Sequence, residues 1–293
     1  MIMALGRGCA QHRQRILPAL LALSLVWLSA PALAATIIKV WGAPDAALQA
    51  LRLNQPGLQW LGEVNEAAGD SVALHIAWQQ EAYQHVLATG SRAPVLVLSQ
   101  QPMPAGRLRH QDAALTWGPP LLQQVQLARR LMPLAKRIGV LYREPLREDY
   151  ERLREALAST GSTITLVPLI VDAPLTARAI AEAAEQVDVL IASNDDRLFN
   201  RDSAKLLLLT AYRHQRPVIG PTPSFVSAGA VATQAVPKAA LLSAILARVM
   251  RWRDTGRLGD SQGITQFAPV LNPQVARSLD IILSPDLLRE VQP

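Results

Sequence analysis

Hydrophobic and polar positions form alternating blocks along the chain, and from residue 121 onward the blocks predict helices and strands in turn. Apolar residues recur at helical spacing on one side of 121–132 and of 147–158. Continuous apolar runs over 136–142, 163–169 and 187–193 are typical of strands that are buried on both faces. This alternation predicts a parallel sheet with right-handed crossovers.

The chain before residue 117 has a sparser pattern. It predicts three strands, over 36–41, 71–78 and 93–99. Helices are predicted over 46–53 and 60–68, in addition to a clearer one over 80–89 that ends at Gly90. We therefore expect a second, smaller α/β region in this part of the chain.

Polar residues follow several of the predicted strands directly. Ser193, Asn194 and Asp195 come after one apolar run, and Thr222 and Ser224 follow the strand predicted over 217–220. The carboxyl ends of parallel strands meet at one edge of a sheet, which is where open α/β proteins bind ligands. Alternatively, Asn194 and Asp195 only turn the chain and cap the next helix. The sequence leaves both interpretations open.

The first 34 residues have the pattern of a secretory signal peptide. Arg7, Arg13 and Arg15 precede an apolar run over 16–28, and small residues with an Ala-x-Ala ending lead to Ala34. We predict cleavage after Ala34 and a periplasmic location. An uncleaved membrane anchor is the alternative, although the apolar run is short for a membrane span.

Removing the signal peptide changes the composition of the chain. Its only cysteine, Cys9, is lost, so the mature protein is predicted to have no disulfide and no thiolate ligand. The formal net charge of +6 loses three arginines and no acid, which leaves +3. This modest charge gives no indication of nucleic-acid binding. An exported chain with a large core and no disulfide fits a bacterial periplasm.

Motifs for catalysis, cofactors or metals are absent from the sequence. It has no P-loop and no G-x-G-x-x-G, and its one G-x-S-x-G match, Gly259-Asp260-Ser261-Gln262-Gly263, lies in a loop predicted over 257–263 rather than in a strand-to-helix elbow. The histidines are dispersed, and adjacent carboxylates such as Asp195 and Asp196 point to opposite sides of an extended strand. We therefore predict no catalytic residue, no cofactor and no metal site; an exported hydrolase would need a nucleophile with a base, which is not visible.

Five segments in the last 170 residues or so suggest a family when they are taken in order. They include Lys-Arg-Ile-Gly-Val-Leu-Tyr at 136–142 and Arg-Pro-Val-Ile at 216–219. The full set covers 123–142, 187–195, 216–219, 225–232 and 269–288. In this order they resemble periplasmic substrate-binding proteins of ABC transporters, in the tryptophan/tyrosine-type branch with the type I periplasmic-binding fold.

The resemblance implies a two-lobe α/β fold, in which each lobe is a parallel sheet flanked by helices and a hinge joins the lobes. The implied ranges are an N-terminal lobe over 35–117, completed by part of 234–293, and a second lobe over 118–233. Residues 234–293 would form a C-terminal helix and crossover segment. Because the region before residue 117 is short for this family, the N-terminal lobe is predicted to be reduced.

The resemblance also places ligand-binding residues at the cleft between the lobes, in agreement with the polar strand ends. The second lobe would contribute Tyr142, Arg143, Ser193, Asn194, Asp195, Thr222, Ser224 and Phe225, the first lobe Trp41, Ser99 and Gln100, and the crossover Trp117. In amino-acid binders of this kind an acid holds the ammonium group, and Asp195 is the candidate here. Trp117 would either stack on the ligand or belong to the core.

We therefore expect the periplasmic solute-binding component of an ABC importer, which captures a small polar or amino-acid-like ligand between two lobes. Its partners would be that small molecule and an ABC permease in the inner membrane, with no nucleic acid. The alternative is an interaction or sensor subunit for a membrane receptor or kinase, without a transport role. The reduced first lobe motivates this alternative.

Overall fold

The computed structural model describes residues 36–55, 58–62, 72–104, 106–171 and 174–291. The predicted signal peptide over 1–34 and most of the helix predicted over 60–68 lie outside the described residues. The described residues belong to one compact unit of the chain.

Twelve strands occur in the described part of the chain. They are β1 (Ile37–Trp41), β2 (Gln59–Leu61), β3 (Val72–Trp78), β4 (Val95–Ser99), β5 (Ala113–Thr116), β6 (Arg137–Tyr142), β7 (Thr165–Ile170), β8 (Val189–Ala192), β9 (Val218–Ile219), β10 (Ala232–Ala235), β11 (Gln262–Gly263) and β12 (Ala268–Leu271).

Ten α-helices accompany these strands in the same residues. They are α1 (Asp45–Asn54), α2 (Gln80–Ala88), α3 (Leu121–Leu131), α4 (Arg147–Ser159), α5 (Ala177–Gln186), α6 (Arg201–Arg213), α7 (Pro223–Ala228), α8 (Lys238–Thr255), α9 (Pro273–Ser278) and α10 (Pro285–Glu290). Each is 18 residues or shorter, and none of them is long and apolar enough to cross a membrane.

The strands form two sheets of six. The first has the order β11-β5-β4-β3-β1-β2 and is parallel throughout. The second has the order β12-β10-β9-β8-β6-β7 and is parallel except for β12, which runs antiparallel to β10. These two sheets with flanking helices confirm the predicted α/β class.

Both sheets are covered by helices on each face, which explains why their central strands are apolar throughout. In the second sheet, α3, α4, α9 and α10 pack on one face, and α5, α6 and α7 pack on the other. In the first sheet, α1 and α8 cover one face and α2 covers the other. The chain therefore passes between the sheets three times, after β5, after β10 and after β11.

The first sheet corrects the expectation of three strands and a reduced lobe. Residues 36–117 supply five strands, and β11 brings the sheet to six, as many as in the second sheet. Trp60 and Leu61 lie in β2 rather than in the predicted helix. β2 is only three residues long, and β5 begins with two alanines, which are depleted in strands. Pairing with β1 and β4, rather than local propensity, makes these two segments extended.

His75 in β3 links the strands and loops of the first sheet through a buried polar pair. Trp41 Nε1 donates a hydrogen bond to His75 Nδ1 (2.9 Å), and His75 Nε2 lies 2.8 Å from Ser91 Oγ. Burial, together with the positive charges of Lys39 and Arg109, lowers the pKa of His75 from 6.5 to about 4. The bond from Trp41 needs an unprotonated Nδ1, so this hydrogen bond forms with the neutral ring.

The first prediction concerns Gly139 at the centre of β6. A methyl group at this position would overlap the Leu169 side chain and lie 2.9 Å from Val187 Cγ1. We expect Gly139→Ala to lower the free energy of unfolding by about 1–3 kcal/mol, because the buried sheet has no room for it. Urea unfolding measures this. Gly263→Ala, whose methyl would lie 3.9 Å from the Thr116 carbonyl oxygen, is the control and should change stability little.

The second prediction concerns the pH dependence of stability. Between about pH 6.5 and pH 4 the unfolded His75 binds a proton that the folded residue does not bind. The free energy of unfolding should therefore fall as the pH is lowered through this window, by about 2–3 kcal/mol in total. His75→Gln keeps an acceptor for Trp41 and removes the titration. An equally steep loss of stability in this variant, followed by urea unfolding at several pH values, would contradict the assignment.

Candidate ligand-binding site

The carboxyl ends of β4 and β8 contact each other directly. Asn194 Nδ2 donates a hydrogen bond to the Gln100 carbonyl oxygen (3.3 Å), and Gln101 Nε2 donates to the Asn194 carbonyl oxygen. Gln100 and Gln101 follow a strand of the first sheet, and Asn194 follows a strand of the second. The polar ends that the sequence indicated in each sheet therefore lie at a common edge.

Gly118 makes this close approach possible. It lies on the first passage of the chain between the sheets, and a side chain here would overlap the Gln100 carbonyl oxygen. The same added methyl would lie 2.9 Å from Asn194 Nδ2. Only a residue without a side chain fits where these three segments meet.

A cavity of about 580 Å³ opens beside this contact. Its walls come from both sheets: the residues after β4, the end of β5, the start of α3, one face of α4, the end of β8 and the β11 segment. Apolar side chains form much of the lining, and they include Met103, Leu121, Leu146 and Leu153. A cavity of this size with apolar walls and a few converging polar groups is typical of small-molecule sites.

Asp195 lies directly after the cavity wall and is held by Arg143. Arg143 Nε and Nη2 donate to Asp195 Oδ2 (2.8 Å) and Oδ1 (2.9 Å), a bidentate ion pair. The backbone N–H groups of Arg197 and Leu198 also donate to Oδ1, at 3.0 and 3.3 Å. Only 4% of Asp195 is exposed. Its carboxylate is thus already occupied, and it is not open to a ligand ammonium group as the sequence suggested.

The turn that the sequence left as an alternative is present at Asp195, but the helix cap is not. The bonds from the N–H groups of Arg197 and Leu198 make Asp195 close a tight turn. The cap of α6 is Asn200, whose side chain accepts from the N–H groups of Asp202 and Ser203.

Three aromatic residues that were predicted for the cleft belong to the cores instead. Tyr142 is buried and stacks on Tyr150 with ring centres 5.0 Å apart. Phe225 packs edge-on against Phe199 in the core of the second sheet. Trp41 packs on the α2 face of the first sheet. Each has a position at or near a strand end, but its side chain points into a core, where its large apolar surface is buried.

Most of the remaining predicted residues lie outside the cavity wall. Ser99 Oγ accepts from the Gln101 N–H (3.2 Å) and so shapes the turn after β4. The Thr222 and Ser224 hydroxyls bond to each other (2.7 Å) at the start of α7 and do not line the cavity. Trp117 packs against the core between the first sheet and α8, and its buried Nε1 has no partner among the described residues. Of the twelve predicted residues, Gln100, Ser193 and Asn194 line the cavity.

Sequence reasoning missed the contributions of β11 and α4 to the cavity. Ser261 and Gln262 come from a stretch that gave only a loop pattern, more than 140 residues after the β5 strand that they contact. Leu153 lies in the helix predicted over 147–158, and it is buried in the core of the second sheet as well as lining the cavity. Gln101 also lines the cavity and was also missed, but a signal for it existed, because it directly follows Gln100, which the strand-end argument had selected.

No metal centre is found in the described part of the chain, where no three His, Asp or Glu side chains could jointly hold a metal ion. The Ser193 hydroxyl also has no histidine beside it among the described lining residues. The described lining offers hydrogen-bonding groups and apolar surface.

Comparisons with known proteins agree with this geometry. Residues 118–292, more than half of the chain, match the family of ABC transporter substrate binding proteins. No curated protein sequence matches the chain.

Solved structures with the same fold cover most of the chain. A ligand-free, open substrate-binding protein with adhesive properties from Clostridium difficile has a TM-score of 0.68 at 16% identity, covering 88% of this chain and 98% of its own. A conserved domain protein from Vibrio cholerae has a TM-score of 0.61 at 19% identity, over 88% and 98% of the two chains. An ABC domain in complex with L-Trp from Streptococcus pneumonia has a TM-score of 0.59 at 16% identity, over 87% and 99%.

These neighbours have the two-lobe periplasmic-binding-protein-like fold. The two sheets of this chain correspond to the two lobes of that fold. The family match confirms the resemblance read from the sequence. The chain therefore belongs to the substrate-binding proteins of ABC transporters.

Proposed function

We propose that this substrate-binding protein works in the periplasm, where it captures a small polar or amino-acid-like ligand between its lobes and delivers it to an ABC permease in the inner membrane. The observation that carries the proposal is the cavity of about 580 Å³ at the meeting edges of the two sheets. The signal-peptide pattern over 1–34 supports the location.

The proposed lobes follow from sheet membership. The first lobe contains residues 35–117 and is completed by α8 and β11, because α8 packs on the first sheet and β11 pairs with β5. The second lobe contains residues 118–233, and β12 joins it by pairing with β10. Three passages of the chain between the lobes would form the hinge.

Ligand capture is proposed to couple to closure of the hinge. The bonds of Asn194 with Gln100 and Gln101 join residues that follow strands of different lobes, so they form only when the lobes are together. A ligand that touches both walls of the cavity would stabilise this closed arrangement. Gln100, Ser193 and Asn194 are the proposed contacts. Arg143 and Asp195 would hold the loop after β8 in position.

We propose that the protein performs no covalent chemistry and uses no cofactor. The support is that no histidine is found among the described residues that line the cavity. A sensor or interaction role without transport was motivated by a reduced first lobe, and that motivation is gone because the first sheet has six strands.

The third prediction tests the proposed function directly. The protein is unfolded thermally against amino acids and small polar metabolites, and a ligand at one hundred times its dissociation constant should add about 2.7 kcal/mol of stability. For a chain of this length that is a rise of several degrees in Tm.

Asn194→Ala removes one bond between the lobes and should weaken the binding of any ligand found by about three- to tenfold. The matched control is Gln126→Ala, since this exposed residue of α3 is not part of the cavity wall. Equal affinities in the two variants would place the ligand elsewhere.

The fourth prediction separates a structural role of Asp195 from direct ligand contact. Asp195→Ala leaves the half-buried Arg143 and two backbone N–H groups without their acceptor, so the free energy of unfolding should fall by about 2–4 kcal/mol. Arg143→Ala and the double variant complete a thermodynamic cycle, in which the two effects should be clearly non-additive. If Asp195→Ala instead abolished ligand binding at unchanged stability, the carboxylate would belong to the ligand.

A further inference from the structure

We propose that the ligand of this cavity is an uncharged molecule with an apolar body and an amide-like edge, on which a hydrogen-bond donor and an acceptor are adjacent. This inference rests on the proposed function and narrows it, because it excludes ligands that are held through a free ammonium or carboxylate group.

The charges on the cavity wall are already neutralised by each other. Asp149 and Arg152 are the charged residues among the described lining residues, and they form an ion pair. Asp195 and Arg143, which lie next to the wall, form a second, bidentate pair. A buried ionic ligand needs a counter-charge, since an unpaired charge is costly to remove from water. Apart from the exposed pair of Asp149 and Arg152, the described wall offers no charged side chain that could supply this counter-charge.

The polar groups that remain on the wall are uncharged. Four are carboxamides, from Gln100, Gln101, Asn194 and Gln262, and three are hydroxyls, from Thr116, Ser193 and Ser261. A carboxamide presents a donor and an acceptor side by side, so it complements a ligand edge with the same two groups, as Asn and Gln do on adenine. Leu121, Leu146 and Leu153 provide apolar surface for the body of the ligand.

Unpartnered polar atoms give independent support. Three buried side-chain atoms of the described residues have no hydrogen-bond partner: Trp117 Nε1, Ser193 Oγ and Gln234 Oε1. Ser193 is 1% exposed and Gln234 is 6% exposed. Nearly all buried polar groups in folded proteins are paired, and of these three residues Ser193 lines the cavity, so its hydroxyl is the one placed to bond a ligand there. All three belong to uncharged groups and lie at or next to the carboxyl end of a strand.

The pairing of the strands places two of these atoms at one level of the second sheet. Ile191 pairs with Ile219, and Ile219 pairs with Ala232. Ser193 lies two residues after Ile191, and Gln234 lies two residues after Ala232. Because one strand separates β8 from β10, the backbones at Ser193 and Gln234 are about 10 Å apart. Trp117 is next to Gly118, which approaches Asn194 beside Ser193. Of these atoms, the Ser193 hydroxyl belongs to a residue that lines the cavity.

The fifth prediction uses matched pairs of neutral and charged probes. Nicotinamide is compared with nicotinate, and indole-3-acetamide with indole-3-acetate, by isothermal titration calorimetry on the protein; L-tryptophan is the zwitterionic probe. We expect the amide of at least one pair to bind about tenfold or more tightly than its carboxylate, because the wall has no free counter-charge. L-tryptophan should bind more weakly than indole-3-acetamide.

A carboxylate or L-tryptophan that binds as tightly as the amide would overturn the inference while supporting the proposed function. Failure of both amides to bind would also overturn the inference, and the wider metabolite panel would then decide the proposed function by itself. The two ideas can therefore fail separately.

Ser193→Ala supplies a structural test, because the Ser193 hydroxyl has no protein partner to lose. The variant should keep its Tm and bind the amide about three- to tenfold more weakly. Ser261→Ala is the matched control: its hydroxyl accepts from the Ala114 N–H (2.8 Å), so this variant should lose stability. Undiminished amide binding by Ser193→Ala would remove Ser193 from the site and contradict the assignment.

Discussion

The close approach of Gln100, Gly118 and Asn194 is the constraint on which the binding region depends. At this point the segments after β4 and β8 meet the first passage of the chain between the lobes. They can approach so closely because Gly118 has no side chain. The bonds of Asn194 with Gln100 and Gln101 then fix the distance between the two sheet edges. The cavity exists because apolar walls from α3, α4 and the β11 segment surround this contact.

Internal pairing of charges gives the binding region its chemical character. Arg143 with Asp195 holds the loop after β8, Arg152 with Asp149 is an exposed pair within α4, and the two pairs leave no net charge on the wall. The pair of Arg143 and Asp195 would then keep the loop after β8 in shape. Both pairs together would disfavour the binding of charged solutes. Hydrogen bonding through carboxamides and hydroxyls remains for the recognition of a ligand.

Residues at strand ends therefore divide into two groups that look alike in the sequence. Ser193 and Asn194, directly after β8, line the cavity, whereas Tyr142 at the end of β6 and Phe225 in α7 fill the cores. The strand-end argument predicts the edge of each sheet at which these residues meet, because that edge follows from parallel topology. It could not separate the two groups, because both faces of each sheet are covered by helices, and the packing of those helices decides whether a side chain near a strand end enters a core or lines the cavity.

Hydrophobic periodicity was enough to predict the α/β class and elements such as α3, α4, β6 and β8, and parallel topology predicts the sheet edge at which the polar strand ends meet. The six strands of the first sheet could not be predicted in this way, because β2, β5 and β11 are too short or too weakly apolar to be recognised without their neighbours. Only the tertiary structure decided that Asp195 is neutralised by Arg143, 52 residues away, and that β11 completes the cavity wall. Such contacts join residues far apart in the chain, and their geometry depends on how the two lobes pack rather than on any local pattern.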